Sequence, residues 1–337
     1  MDTNKITKIV VIGGGTGTSV LLRGLREYPV NLTAIVTTAD TGGSSGVLRA
    51  ETGMAPPGDV RQCLVALNEG HSPLISYFNT RFERGNLAGH AFGNLFLAIL
   101  FQEFKDMQQA VDAAEEMLEA KHHVVPVTLE PTNLVASMKD GTKLEGEAEI
   151  VALEGLEQKV EHLQLLPEDA TVNPKAKEAI ANADYILIGP GNTFASITPA
   201  LLVNDMAGHI RRSSAKKVYV ANLLNERQLS TNYSLADYLA HYDTIFNGPV
   251  FDYVLYNTGK IDEATLQELG INEQPVLNGR GKRTETFVEG DLVDHTAYEQ
   301  NPNDPLNGQR TLVRHNSEMT AGSIMERIVH GERVLHQ

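Results

Sequence analysis

The sequence predicts an α/β fold, in which a doubly wound, mostly parallel sheet carries a small inserted region of antiparallel β structure. Short apolar runs alternate with helical stretches along most of the 337 residues, a pattern typical of a parallel sheet covered on both faces. Between residues 124 and 166 the apolar pattern changes to a two-residue period, which indicates antiparallel strands. We therefore expect a single domain over residues 1–337, with residues 124–166 as an insertion.

The elements follow one another in a regular order. A strand at residues 9–12 leads through a glycine run into a helix over residues 19–28. The next elements are a strand at 32–36, helices at 60–68 and 94–104, and an amphipathic helix with Met107, Val111, Ala114 and Leu118 on its buried face. In the insertion, Asp140 and Gly141 between the runs 134–138 and 142–150 predict a hairpin. Strands at 185–188, 218–220 and 253–256 then alternate with helices near 200–212 and 235–241.

Composition narrows the function classes. A net charge of −15 argues against nucleic-acid and anionic membrane surfaces, because both attract clustered Lys and Arg. The chain has a single cysteine, Cys63, so it cannot form an internal disulfide, and this is typical of proteins from a reducing compartment. Cys63 lies in an apolar run, which predicts that its side chain is buried. The longest apolar run, residues 95–101, is too short to cross a bilayer, and the first residues lack signal-peptide features. We predict a cytoplasmic protein that does not insert into the membrane.

The glycine run after the first strand is the strongest functional signal. It consists of Gly13, Gly14, Gly15, Thr16 and Gly17. Such a run lets the backbone approach a ligand closely, and the following helix directs the positive end of its dipole to the same place. We predict that a phosphate group binds here, against the alternative of a plain strand-to-helix turn.

The glycine run matches only half of the dinucleotide-binding fingerprint. Gly13 and Gly15 fit its first two positions, but Thr18 occupies the third and no acidic residue ends the second strand at the usual distance. This disfavours NAD and a dehydrogenase activity. A nucleotide-sugar or a phosphodiester fits the pattern better.

The loops after the other strands are also built from small or amide-bearing residues, and parallel sheets bind ligands beyond the carboxyl ends of their strands. The loop after the second strand contains Asp40, Thr41, Gly42, Gly43, Ser44 and Ser45. It can cradle an anion while Asp40 serves as a metal ligand or general base. Later loops supply Gly189, Gly191, Asn192 and Thr193 as a second phosphate site, with Asn222 and Asn257 at two further strand ends. His90, Asn94 and Asp59 lie near helix starts, where Asn94 and Asp59 can equally be helix caps.

Together these motifs resemble the YvcK/CofD-like family, most closely its bacterial YvcK branch of gluconeogenesis factors. The resemblance rests on the loops 13–17, 40–46, 57–59, 89–94 and 189–192 and on residues 314–316, and it extends over roughly residues 7–330. It implies a Rossmann-like fold. The CofD branch consists of 2-phospho-L-lactate transferases, which pass a phospholactyl group from a guanosine diphosphate donor to a deazaflavin and use a divalent metal. The YvcK branch is associated with gluconeogenic growth, cell shape, peptidoglycan precursor supply and binding of UDP-N-acetylglucosamine.

The resemblance also implies roles for individual residues. The loops 13–17 and 189–192 would hold the diphosphate. Asp40 and Asp59 lie where the transferase branch keeps acidic residues near the metal and the acceptor, with Mg²⁺ as the metal if the protein is a transferase. Arg314 would meet the uridine or sugar end of the ligand, unless it forms a surface ion pair.

Two functions stay open at this point. The favoured one is a regulatory protein that binds a UDP-sugar with little or no turnover, and the alternative is a CofD-like transferase in which Asp40 activates the acceptor hydroxyl or holds Mg²⁺. We expect a homodimer, while the sequence names no protein partner and no complete metal ligand set. Residues 280–308 are rich in turn-forming residues and predict a mobile loop or lid that a partner could recognise.

Overall fold

Seven strands of the chain form one parallel sheet and three form a small antiparallel sheet. The structure is a computed structural model, and it describes residues 6–68, 72–151, 160–226, 229–261, 266, 275–295 and 313–331. In chain order the strands are β1 (Thr7–Gly13), β2 (Val30–Val36), β3 (His123–Pro126), β4 (Asn133–Met138), β5 (Lys143–Glu145), β6 (Val160–Leu166), β7 (Tyr185–Ile188), β8 (Lys216–Val220), β9 (Tyr253–Asn257) and β10 (Thr286–Gly290). The predicted doubly wound α/β fold with an antiparallel insertion is confirmed.

The large sheet reverses its winding at its centre. Its order is β10-β9-β8-β7-β1-β2-β3, and every pairing is parallel. From β1 the chain first adds β2 and β3 on one side, and β7 then pairs with the other side of β1. The loops after β1 and β7 therefore leave a switch point in opposite directions, which opens a crevice at the carboxyl ends of these strands.

Helices cover both faces of this sheet. They are α1 (Gly15–Leu25), α2 (Gly43–Thr52), α3 (Gly58–Asn68), α4 (Phe92–Phe104), α5 (Met107–Met117), α6 (Glu147–Val151), α7 (Pro174–Asn182), α8 (Thr198–Leu202), α9 (Met206–Arg212), α10 (Leu235–Phe246) and α11 (Ser317–Gly322). Short 3₁₀ turns span Pro73–Tyr77 and Gly85–Leu87, and π-helical turns span Thr193–Ile197 and Ser323–Val329.

Alternate residues of the central strand supply two separate cores. Ile9 and Val11 of β1 pack into the layer that includes α1, α3, α5 and α11, whereas Val10 and Ile12 pack against α7 to α10 and the insertion. All four side chains are buried. Residues 9–12 of β1 are apolar at every position because both faces of this strand are buried.

The insertion is shorter than predicted. β3 pairs in parallel with β2 and belongs to the large sheet, so residues 124–126 are not part of the insertion. The hairpin at Asp140 and Gly141 is confirmed by the antiparallel pairing of β4 with β5. The predicted second strand at 142–150 ends at Glu145, however, and helix α6 follows it.

Three further predictions differ from the structure. The first helix covers Gly15–Leu25 rather than residues 19–28, because the glycine run itself forms its first turn. The predicted helix near 200–212 is interrupted between α8 and α9. Within the predicted loop 280–308, Thr286–Gly290 form strand β10, which pairs with β9, whereas residues 280–285 have no regular secondary structure. Residues 296–308 lie outside the described residues.

Cys63 is a buried free thiol, as predicted, and its burial raises the pKa of the thiol. Across the described residues, no helix combines the length and apolar character needed to cross a membrane.

Candidate functional site

The first glycine loop presents an open helix terminus at the carboxyl end of the central strand. Helix α1 begins at Gly15, and its N-cap residue, Gly14, contributes no side-chain hydrogen bond. The hydroxyls of Thr18 and Ser19 donate backward to the carbonyl oxygens of Gly14 and Gly15, at 3.3 and 2.8 Å. Gly14 has no side chain that could cap the first-turn N–H groups, while the carboxylate of Asp59 lies against Gly14, and the positive end of the helix dipole stabilises negative charge at this place.

The two glycine loops touch at the switch point. A β-carbon placed on Gly17 would lie 2.5 Å from the carbonyl oxygen of Pro190, so only glycine permits this approach. A residue with a side chain would push the loop after β7 away from α1. The structure thus brings together the two loops that the sequence analysis assigned to phosphate binding.

In the loop after β7, backbone N–H groups are hydrogen-bonded to side chains of the protein itself. Asn192 Oδ1 accepts hydrogen bonds from the N–H groups of Phe194 and Ala195, at 3.1 and 2.7 Å. Asn222 Oδ1 accepts from Gly191 at 3.2 Å, and Glu226 Oε1 accepts from Thr193 at 2.5 Å. Glu226 is a site residue that the sequence analysis missed.

Two carboxylates lie close to the start of α3, Asp59 against the first glycine loop and Asp40 against Gly58. Asp40 Oδ1 accepts from the N–H of Gly42 at 2.7 Å and closes a tight turn before α2. Asp59 lies in the first turn of α3, one residue inside the helix, so it is not the cap residue that we considered. Its Oδ2 would lie 2.1 Å from a β-carbon on Gly14. The glycine at position 14 leaves the space that this carboxylate occupies.

A third carboxylate, Glu147, reaches the same place from the insertion. Burial and the neighbouring carboxylates of Asp40 and Asp59 raise the pKa of Glu147 well above its ordinary value, while a hydrogen bond from Ser196 opposes the shift. The N–H of Ala148 also donates to Thr41 Oγ1 at 3.3 Å, which ties α6 to the Asp40 loop. The sequence analysis missed Glu147 because it assigned residues 142–150 to a strand.

The described residues hold no group of three or more His, Cys, Asp or Glu side chains arranged to bind a metal ion. The two aspartates therefore do not form a complete protein site for a metal. Mg²⁺, however, commonly binds through one or two carboxylates together with the phosphate groups of a ligand. The placement of Asp40 and Asp59 at the start of α3, close to the loop that the sequence predicts to bind phosphate, fits that mode.

A hydrogen-bonded chain connects the Asp40 loop to the segment around residue 90. Ser44 Oγ lies 2.9 Å from His90 Nδ1, and Asn94 Nδ2 donates to the same hydroxyl at 3.0 Å. Asn94 Oδ1 in turn accepts from Arg61 Nε at 2.9 Å, and Arg61 also donates to Asn79. Asn94 lies inside helix α4, whose N-cap residue is Ala91, so it is a linking residue rather than a cap. The network fixes Ser44 at the start of α2 and places a buried guanidinium behind it.

A second part of the crevice lies at the ends of β8 and β9. A cavity of about 160 Å³ is lined there by both predicted asparagines, Asn222 and Asn257, and by Tyr256, Thr258 and Gly259 among other residues. Asn257 Oδ1 accepts from the N–H groups of Gly259 and Leu292, at 3.0 and 2.9 Å, so this side chain also holds the loop together. The cavity lies beyond Asn222, on the far side of the second glycine loop.

Arg314 is not among the described residues that line this cavity. Its carbonyl oxygen accepts from the N–H of Asp294 at 2.8 Å, beside the bridge between Val293 and His315. His315 Nε2 lies 3.1 Å from the carbonyl oxygen of Ala221, and burial lowers the pKa of His315 to about 4, so the neutral ring donates this hydrogen bond. The segment is therefore anchored at the end of β8, and a ligand contact by Arg314 stays a prediction.

Comparisons with known proteins agree with this architecture. The profile of the family described as "2-phospho-L-lactate transferase CofD" matches residues 9–286. The crystal structure of a UPF0052 family member from Bacillus halodurans superimposes with a TM-score of 0.86 at 33% identity, over 95% of this chain and 99% of that one.

Curated relatives carry the description "gluconeogenesis factor". The protein of that name from Halalkalibacterium halodurans is 36% identical over 324 residues, which cover 96% of this chain and 97% of the relative. A putative gluconeogenesis factor from Nostoc sp. is 45% identical over 237 residues, or 70% of this chain. The chain spans only about half of some relatives, since the match covers 51% of the Nostoc protein and 57% of one from Clostridium acetobutylicum.

Proposed function

The chain belongs to the CofD family, and from that premise we propose that it is a regulatory protein that binds a UDP-sugar of the UDP-N-acetylglucosamine type. The observation that carries the proposal is the close approach of Gly17 to Pro190 at the start of α1, which brings the two glycine loops together. Backbone donors and a helix dipole converge there on one point of the switch-point crevice, which suits a diphosphate.

The crevice offers a place for each part of such a ligand. The diphosphate would lie at the first turn of α1. The nucleoside would extend into the cavity lined by Asn222 and Asn257, and these two amides would exchange bonds within their loops for bonds to the polar groups of a pyrimidine base. The sugar would then face the loop of Asp40 and Ser44, where the neighbouring residues are small.

The physiological role that we propose follows the relatives that are called gluconeogenesis factors. It is a link to growth on gluconeogenic carbon sources, to cell shape and to peptidoglycan precursor supply, exercised in the cytoplasm by a protein that forms a homodimer. In this role, binding of the ligand changes the conformation of the crevice. A protein partner recognises that change, and no reaction product is needed.

A CofD-like transferase is the second candidate, and the observation that favours it is the placement of two carboxylates, Asp59 beside Gly14 and Asp40 beside Gly58 at the start of α3. In that reaction the oxygen of an acceptor hydroxyl forms a bond to the distal phosphorus of a nucleoside diphosphate donor. The bond between that phosphorus and the nucleoside monophosphate breaks, and Asp40 takes the hydroxyl proton. Mg²⁺ held by the two aspartates and the ligand's phosphate oxygens would supply charge neutralisation.

A thermal-shift panel tests the proposed ligand. UDP-N-acetylglucosamine, UDP-glucose, GDP, NAD and NADP would each be added with and without Mg²⁺. A ligand at about 100 times its dissociation constant adds about 2.7 kcal/mol of stability, which for a chain of this length raises Tm by about 4 °C. We expect this shift with UDP-N-acetylglucosamine. No shift with any UDP-sugar would contradict the proposal, and a shift with NAD alone would favour a dehydrogenase.

The variant Asp40→Asn separates the two candidate functions. A regulatory protein should keep its affinity for the UDP-sugar when this carboxylate is replaced. A transferase should bind its donor but lose turnover. The readout is product formation from a nucleoside diphosphate donor and an acceptor alcohol, measured beside the binding isotherm of the same variant.

A further inference from the structure

The loop after β7 is held by one acidic side chain that comes from the segment after β8. Glu226 Oε1 accepts hydrogen bonds from the N–H of Thr193 at 2.5 Å and from Asn222 Nδ2 at 3.2 Å. Asn222 Nδ2 lies 3.3 Å from Thr193 Oγ1 as well, and its Oδ1 accepts from the N–H of Gly191. Glu226 therefore occupies donors at the loop that lies against the proposed diphosphate position.

The surroundings of Glu226 disfavour its charge. Its second oxygen, Oε2, is buried and has no hydrogen-bond partner among the described residues. Burial raises the pKa of Glu226 to about 7, although the hydrogen bonds from Thr193 and Asn222 oppose the shift. The titratable side chains coupled to it are tyrosines, Tyr219 from β8, Tyr238 and Tyr242 from α10 and Tyr233 from the turn before α10. These stay neutral at pH 6 to 8, since burial raises the pKa of each.

We propose that Glu226 is a proton-linked positioning residue, whose neutral form admits the anionic diphosphate at the neighbouring loop and whose ionised form opposes it. The proposal rests on the function proposed above. An ionised Glu226 takes up the loop donors and repels a diphosphate bound at the neighbouring loop. A protonated Glu226 removes the repulsion and leaves Asn222 free to turn its amide toward the ligand. Binding near neutral pH is therefore accompanied by proton uptake.

The size of the effect follows from the fraction of neutral Glu226. With a pKa of about 7, the neutral fraction falls roughly tenfold between pH 6 and pH 8. If only that form binds, the dissociation constant for UDP-N-acetylglucosamine rises roughly tenfold over the same range. The diphosphate of the ligand does not itself titrate there, so the change reports on the protein.

The test is a titration of the full chain with UDP-N-acetylglucosamine at pH 6, 7 and 8. Glu226→Gln keeps an oxygen that can accept from Thr193 but cannot ionise, and we expect its affinity to change less than twofold. Glu178→Gln, on an exposed position of α7, is the matched control and should follow the wild type. Calorimetry at pH 7 in two buffers of different ionisation enthalpy should show proton uptake by the wild type and none by Glu226→Gln.

The same pH dependence in wild type and Glu226→Gln, or no proton uptake by the wild type, would overturn the inference and leave the proposed function standing. Absence of UDP-sugar binding at every pH, in both proteins, would contradict the proposed function and the inference with it. Should Glu226→Gln fail to fold, the wild-type proton count alone decides the question.

Discussion

The carboxylate of Asp59 lies directly against Gly14, at the point where helix α1 begins. A β-carbon at Gly14 would be 2.1 Å from Asp59 Oδ2, well inside van der Waals contact. The positive end of the helix dipole stabilises this carboxylate, and the same helix end is the proposed diphosphate position. A ligand that brings further negative charge here needs a counter-ion, a proton or a displacement of Asp59.

Replacement of Gly14 by alanine should therefore destabilise the protein. The added methyl group forces either the loop or helix α3 to move, and overpacking of this kind typically costs about 1–3 kcal/mol. We expect Gly14→Ala to lower the free energy of unfolding by that amount in urea titrations. Gly331→Ala is the control, because the nearest atom to its added β-carbon is 3.8 Å away. Equal stability of both variants would contradict the described contact.

Neutralisation of Asp59 should change ligand affinity in opposite directions with and without metal. Without Mg²⁺, Asp59→Asn removes a repulsive charge beside the diphosphate, an effect of about 1 kcal/mol or roughly fivefold tighter binding. With Mg²⁺, the variant loses a ligand for the ion and should bind more weakly than the wild type. Isothermal titrations with UDP-N-acetylglucosamine measure both affinities, one in the presence of a chelator and one in the presence of Mg²⁺. A variant with unchanged affinity in both would show that Asp59 does not face the ligand.

Arg61 should not tolerate replacement by lysine. Its Nε donates to Asn94 while another nitrogen donates to Asn79, and the side chain is only 5% exposed. A lysine ammonium cannot reproduce the planar fork, which leaves a buried charge and two amides poorly paired. We expect Arg61→Lys to cost about 3 kcal/mol, by analogy with broken buried ion networks. Lys175→Arg, at a half-exposed ion pair with Asp112, should change stability by less than about 0.5 kcal/mol.

Burial of His315 predicts a loss of stability in acid. Its folded-state pKa is about 4 against an ordinary value of 6.5, so the unfolded chain binds more protons between these pH values. This contribution to stability is fully present above pH 6.5 and is lost as the pH falls from 6.5 toward 4, by up to about 3 kcal/mol. His315→Gln, which keeps a donor for Ala221, should flatten that part of the stability profile. An unchanged slope in urea titrations from pH 4 to 7 would contradict the buried neutral ring.

The central sheet was predictable from the sequence because local pattern and burial agree there. Ile9 to Ile12 are apolar at every position, as a strand covered on both faces requires, and glycine follows at once. Helix boundaries were less predictable where glycine was involved. The run at residues 15–17 is a poor helix former by propensity, yet it forms the first turn of α1 because Gly17 must pass close to Pro190.

The candidate site was predictable in its loops and not in its supporting side chains. The sequence analysis brought together the loops 13–17, 40–46 and 189–193 because parallel strands end at one edge of the sheet. It missed Glu147, Arg61 and Glu226, whose roles arise from contacts between segments far apart in the chain. The one signal for Arg61 was its place directly after Asp59 and Val60, at the start of a helix that continues with the apolar run at residues 63–67.

The most direct test of the central claim is a crystal structure of the chain with UDP-N-acetylglucosamine at saturating concentration. The account predicts that diphosphate oxygens accept hydrogen bonds from the first-turn N–H groups of α1, with the base in the cavity at Asn222 and Asn257. A diphosphate bound elsewhere on the protein, or a crevice that stays empty although the ligand is in large excess, would contradict it.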